Sequence, residues 1–192
     1  GLLIKILLFV FISSFTLANE NKIGSVSELS GVIIAINENL DERDLLIHDP
    51  IFINEEIFIT EGSSATIQFE DNTAIIMKEL TSLNVSEFEN SKLNPKIKAK
   101  LLKGKITIES GSIAKNSNGE MIVDVLTSSL GLRGTRIEVD LKPDGKSNIS
   151  LAEDSFGNLG EINVTSGEQS SSITSSEQIF EVSENKEVLA RD

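Results

Sequence analysis

The sequence predicts an all-β protein, a β-helix or solenoid-like stack of short strands, with a β-sandwich as the alternative. Apolar stretches of four to seven residues recur along the chain, several alternating with polar residues as half-buried strands do. Gly, Asn, Asp or Ser turns separate them. No window of ten or more residues holds a sustained 3.6-residue apolar period, so little helix is expected. A barrel satisfies the same pattern.

Residues 26–36 (VSELSGVIIAI) read as the first strand, followed by an acidic loop over 37–44. Residues 51–60 divide into two short strands about a polar turn at Asn54-Glu55-Glu56. Residues 65–69 alternate as ATIQF, and Asp71-Asn72 turns the chain into a strand over 74–77. The Lys/apolar alternation over 96–102 suits an edge strand whose lysines face water. Strands over 105–109, 121–126, 136–141 and 148–151 follow. Pro143-Asp144-Gly145 joins the last two as a hairpin turn, since Pro presets φ and Gly accepts positive φ. Faint similarity between 60–65 and 109–114 hints at a repeated turn. Beyond residue 160 the stretch 164–176 is rich in Ser, Thr and Gly, and 178–182 offers one more strand.

Lys5 precedes an apolar run over residues 6–17, and Thr16-Leu17-Ala18 supplies small residues at its exit. That is the pattern of a cleaved secretory signal, residues 1–18. A spanning helix wants about 20 apolar residues, and Ser13, Ser14 and Thr16 interrupt this run. The organisation expected is therefore a signal peptide (1–18), one β domain (24–182) and a flexible tail (183–192), in a periplasmic or extracellular protein with no stable membrane span after cleavage.

The net charge of −13 becomes about −14 once Lys5 is removed with the signal. Such a chain repels nucleic-acid phosphates and anionic bilayers, so neither is an expected partner. Cysteine is absent. The fold must rest on packing and backbone pairing, and thiol catalysis, cysteine-ligated metals and acylated anchoring at a lipobox all fall away.

Candidate chemistry is sparse. His48, the single histidine, is followed by Asp49, but neighbours on a strand point to opposite faces, and no Gly-x-Ser-x-Gly elbow exists. It reads as a turn or surface residue. Ser112-Ile113-Ala114-Lys115 has the Ser-x-x-Lys spacing, which works only where a helical turn brings the amine to the hydroxyl. Its flanks read as strand and turn, with no Lys-Thr-Gly partner. Carboxylates cluster at Asp41, Glu42 and Asp44, at Glu55 and Glu56, at Glu153 and Asp154, and at Glu177 and Glu181, but abundance alone makes no acid–base pair. Residues 153–158 lack the spacing of a calcium loop and read as a solvated turn. Trp and Tyr are absent, which counts against stacking on sugars; Phe52, Phe58 and Phe69 read as core. No catalytic residue, metal or cofactor is expected.

Two of the four arginines fall in Gly131-Leu132-Arg133-Gly134-Thr135-Arg136, where a Gly-flanked guanidinium can brace a tight turn through backbone carbonyls or present a cation outward. With its surroundings this segment resembles the FecR domain family of bacterial envelope proteins. The resemblance runs from about 24 to 165 and is carried, in order, by Asp49-Pro50-Ile51-Phe52, residues 57–65, residues 67–73, Leu102-Lys103-Gly104-Lys105-Ile106 and residues 125–135. Ser128 stands where the family pattern has Pro, and Asn72 where Gly usually follows Asp. The motif positions singled out are Gly62, Asp71, Gly104, Gly131, Arg133, Gly134 and Thr135, as structural or binding residues.

The resemblance implies an extracytoplasmic β-helix-like domain. In the family's sigma regulators it follows a cytoplasmic anti-sigma segment and a membrane helix, and relays a signal from a TonB-dependent transducer. Here five residues precede the apolar run, so a stand-alone exported member is expected. The function expected is a non-enzymatic binding or scaffold module that engages another envelope protein. The alternative is a relay component of iron-uptake-type regulation, and an acidic glycan hydrolase ranks behind both.

Overall fold

The computed structural model describes residues 21–183 and 188–191; the expected signal peptide lies outside them. Among the described residues the regular structure is nearly all β. It begins with β1 (Lys22–Ser30), β2 (Ile33–Ile36), β3 (Glu42–Asp44), β4 (Pro50–Phe52), β5 (Glu56–Ile59), β6 (Ser64–Phe69), β7 (Ala74–Met77), β8 (Ser82–Glu89) and β9 (Lys96–Glu109). One helical turn follows, α1 (Ser112–Lys115). Then come β10 (Glu120–Val125), β11 (Ser128–Arg133), β12 (Arg136–Leu141), β13 (Lys146–Ala152), β14 (Glu161–Ser166), β15 (Gln169–Ile173), β16 (Ile179–Ser183) and β17 (Val188–Arg191).

Backbone pairing organises these strands into two ladders. One runs β4-β1-β6-β7-β9-β12-β13-β16-β17. The other runs β3-β2-β5-β8-β9-β10-β11-β14-β15. Strand β9 belongs to both: residues 96–103 pair with β8 and β10, residues 104–109 with β7 and β12. The result is one continuous, open, mixed system, in which β9–β10 is the parallel pairing and the others are antiparallel.

The hinge of β9 is Gly104, at φ +88°. A Cβ there would collide with Thr81, whose Oγ1 donates to the Lys105 carbonyl at 3.1 Å and accepts the Lys105 N–H at 3.0 Å. Left-handed φ and the close approach both require glycine.

Alternating burial drives the rest. In β6 and β12 every second residue is buried, and Ile75, Ile106, Ile108, Ile137 and Val139 are fully buried. The buried faces of both ladders feed one apolar cluster. Each buried Ile or Val contributes about 1.5–3 kcal/mol, and a one-residue slip would turn all of them to water, so the register is fixed.

Several sequence expectations change. The single strand expected over 26–36 breaks at the Gly31 turn into β1 and β2. The lysine-rich segment is no edge but the strand shared by both ladders; its lysines can face outward because only one face of the strand is covered. The acidic loop contains β3, and the Ser-rich stretch supplies β14 and β15. β8 escapes a period-two search because irregularities at Ser82/Leu83 and Val85/Glu87 shift its alternation. Residues 188–191 of the expected tail form β17 against β16. The Ser-x-x-Lys segment is itself α1, a helical turn where strand and turn were expected.

Candidate functional site

Four of the seven motif positions meet around α1. The buried Asp71 carboxylate accepts the Thr73 N–H at 3.0 Å, the Thr73 hydroxyl at 2.8 Å and the Ile113 N–H at 3.1 Å. The Asp71 carbonyl accepts the Ser112 N–H at 2.8 Å, and Thr73 Oγ1 accepts the Gly111 N–H at 3.0 Å. The β6–β7 turn thus caps a helical turn some 40 residues away in sequence, satisfying N–H groups that a short helix leaves orphaned. From the other side the Gly134 N–H donates to the Ala114 carbonyl at 3.1 Å, and the Ser110 N–H to the Thr135 carbonyl at 3.0 Å. Arg133 Nη1 donates to the Gly119 carbonyl at 3.1 Å, so its guanidinium braces the loop after α1. Asn72, standing where the resemblance has Gly, sits at φ +68°, a region Asn tolerates through its short polar side chain.

The other three lie apart. Gly62 caps the β5–β6 turn, its N–H donating to Glu79 at 2.7 Å. Gly131 is inside β11 and, with Arg133, lines a shallow recess of about 200 Å³. Gly104 is the β9 hinge.

The remaining candidates settle into turn and surface roles. Lys115 Nζ lies 3.6 Å from Asp154 and 5.6 Å from the Phe156 ring centroid, while Ser112 is exposed. His48 occupies an exposed turn at φ +74°. Glu55 is buried in a two-point pair with Arg43, Nε–Oε1 at 3.0 Å and Nη2–Oε2 at 2.8 Å, and also accepts the Phe52 N–H. This staple of β3 onto the β4–β5 turn was not foreseen, because its partners are read separately as an acidic loop and a polar turn. Among the described residues no group of three or more His, Asp or Glu side chains is placed to hold a metal ion.

The turn at 153–158 is organised around a buried carboxylate. Asp154 accepts the N–H groups of Phe156 and Asn158 at 2.9 and 2.8 Å and the Asn158 amide at 3.2 Å. The Asn158 N–H above all, then its side-chain amide, the Phe156 N–H and the Lys115 charge, hold this carboxyl below its ordinary range against the opposing effect of burial. With the folded value below the unfolded one, the stabilisation is complete above the ordinary aspartate pKa of about 3.9 and is lost as pH falls through the folded value. Amide protection factors at Phe156 and Asn158, corrected for the intrinsic exchange rate, should therefore fall on acidification below about pH 4. Asp154→Asn should abolish that dependence; an unchanged acid profile in the variant would contradict the assignment.

A larger surface lies where β9 changes ladder. Lys78-Glu79-Leu80, Leu102–Lys105, Leu126 and, at the end of β12 and its turn, Asp140–Pro143 and Gly145 line a groove of about 700 Å³. Its floor is apolar, with Leu80 50% and Leu102 42% exposed. A continuation of about 460 Å³ adds Lys100 and Thr127. Sequence reasoning found Gly104 here but missed Leu80, Leu126 and Lys142. The available signal was the lysine run of β9, whose neighbours across the hinge only the register reveals.

The FecR protein family model matches residues 55–156, just over half of the chain. The chain belongs to the FecR protein family. All seven motif positions of this FecR-family chain, α1 and the whole of β9 fall inside the match, while β14–β17 lie beyond it. Two crystal structures of a candidate anti-sigma factor from Parabacteroides distasonis are similar in fold, each with TM-score 0.57, at 14% and 15% identity. Each comparison covers 71% of this chain and 59% of the other, so the FecR-family chain spans under two thirds of that relative's length. At such identity the likeness is one of fold. No curated protein matches the chain. Among the described residues no helix is long and apolar enough to cross a membrane.

Proposed function

We propose that this FecR-family chain is a non-enzymatic protein-binding module of the bacterial cell envelope, exported through residues 1–18 and acting through its β domain over 24–182. The observation that carries the reading is the family match across 55–156. The alternation of hairpins between two ladders joined at β9 supports a solenoid-like stack, a form that presents long surfaces for partners. Crosslinking in intact cells tests the reading. One discrete heteromeric adduct in the envelope fraction is expected; a chain recovered from the cytoplasm, or only as a free monomer, would contradict it.

The fold likeness to a candidate anti-sigma factor favours a second, narrower reading, in which the module relays an envelope signal to a regulator. A relay predicts that deleting the gene changes a compact set of transcripts and that the intact chain restores them. A scaffold predicts no such set.

A further inference from the structure

We propose that the leucine groove at the β9 ladder crossing is the docking site for an acidic, leucine-bearing segment of a partner protein. This deepens the protein-binding reading above and rests on it. The charge around the groove is opposite in sign to that of the chain as a whole. In a chain of net charge −13, the groove and its continuation are rimmed by Lys78, Lys100, Lys103, Lys105 and Lys142, against Glu79 and Asp140. Lys105 pairs with Glu138 at 3.7 Å and Lys103 sits 4.6 Å from the Phe58 ring centroid. Among the described residues Lys78, Lys100 and Lys142 have no ion-pair partner within 4.0 Å. A local excess of cations around an apolar floor is complementary to a ligand that is itself acidic and apolar.

The groove also carries backbone strain. Leu80 and Leu126 both line the groove, and both hold left-handed φ, +57° and +56°. A side chain with a Cβ is disfavoured there, and Asn or Gly would be at ease. Leu40 shares the conformation but lies in the acidic 37–41 turn. Two leucines held against their backbone preference on one surface, one of them half exposed, mark a patch retained for something other than stability. An anionic bilayer is the less suitable occupant. The overall charge opposes approach to anionic lipid.

The test uses the purified full chain and a fluorescein-labelled peptide of alternating leucine and glutamate, read by fluorescence anisotropy. Binding that weakens with added salt is expected, with the leucine–lysine counterpart bound at least about tenfold more weakly. Leu80→Asn should leave Tm unchanged or raised, because it relieves the left-handed strain, while weakening the peptide about tenfold. Lys142→Glu, on an exposed turn, should weaken it similarly with the fold intact. Equal affinity for the two peptides, or for parent and both variants, overturns the proposal. So does binding to phosphatidylglycerol vesicles in place of the peptide, or a dimer that Lys142→Glu dissolves. If the peptide fails while cellular crosslinks persist from other surfaces, the groove assignment falls and the protein-binding reading stands.

Discussion

Replacing Asp71 with Ala should lower the stability of the domain by about 3 kcal/mol. The Thr73 and Ile113 N–H groups and the Thr73 hydroxyl would all lose their acceptor in a site closed to water. Each buried donor left unpaired costs about 1–3 kcal/mol, less whatever the site recovers by relaxing. For a domain of this length the expected fall in Tm is roughly 10 °C. Asp71→Asn keeps the shape, but its NH2 must face at least one N–H donor, so it should recover only part of the loss. Differential scanning calorimetry on the three proteins checks the order; an Ala variant as stable as the parent would remove the β6–β7 turn from its capping role.

Gly104→Ala should cost more still, about 4 kcal/mol, because two penalties coincide at one atom. The added Cβ would be held at φ +88° and would strike Thr81 at its backbone Cα as well as its side chain. Gly104 is paired with Leu141 of β12, and the Thr81 carbonyl, just before β8, accepts the Ile59 N–H at 2.9 Å, so neither backbone can retreat without breaking hydrogen bonds. Urea unfolding should give a lower midpoint, with reduced amide protection in Ser82–Glu89 and in residues 104–109. A variant that unfolds like the parent would mean that β9 can change ladders without a glycine.

Much of this was legible in the sequence, for reasons that differ by element. β6, β7, β10 and β12 announce themselves because one covered face imposes strict alternation, as in Ala65, Ile67 and Phe69. The β12–β13 turn is legible because Pro143 and Gly145 carry the turn in their own covalent geometry. β15 is not, since Gln169-Ser170-Ser171-Ser172 has no apolar period and is held as a strand only by β14. The lysines of β9 suggest an open edge because outward lysines look alike on an edge and on a central strand with one exposed face. Only long-range register tells them apart. The motif residues Asp71, Arg133, Gly134 and Thr135 could be found one by one, yet that they meet at α1 follows from contacts spanning tens of residues. The groove was the least legible feature. It joins the β7–β8 loop, the β9 hinge and the turns after β10 and β12, segments with nothing in common until the ladders align them.

The most direct test of protein binding at this surface is a photoreactive residue placed at Leu102 in intact cells, with Ser171 of β15 as the comparison position. One dominant adduct to a single envelope protein is predicted from position 102, mapping to an acidic segment of that protein and lost when Lys142 is changed to Glu. Adducts that form equally from both positions, or that survive Lys142→Glu, or none at all from position 102, would contradict it.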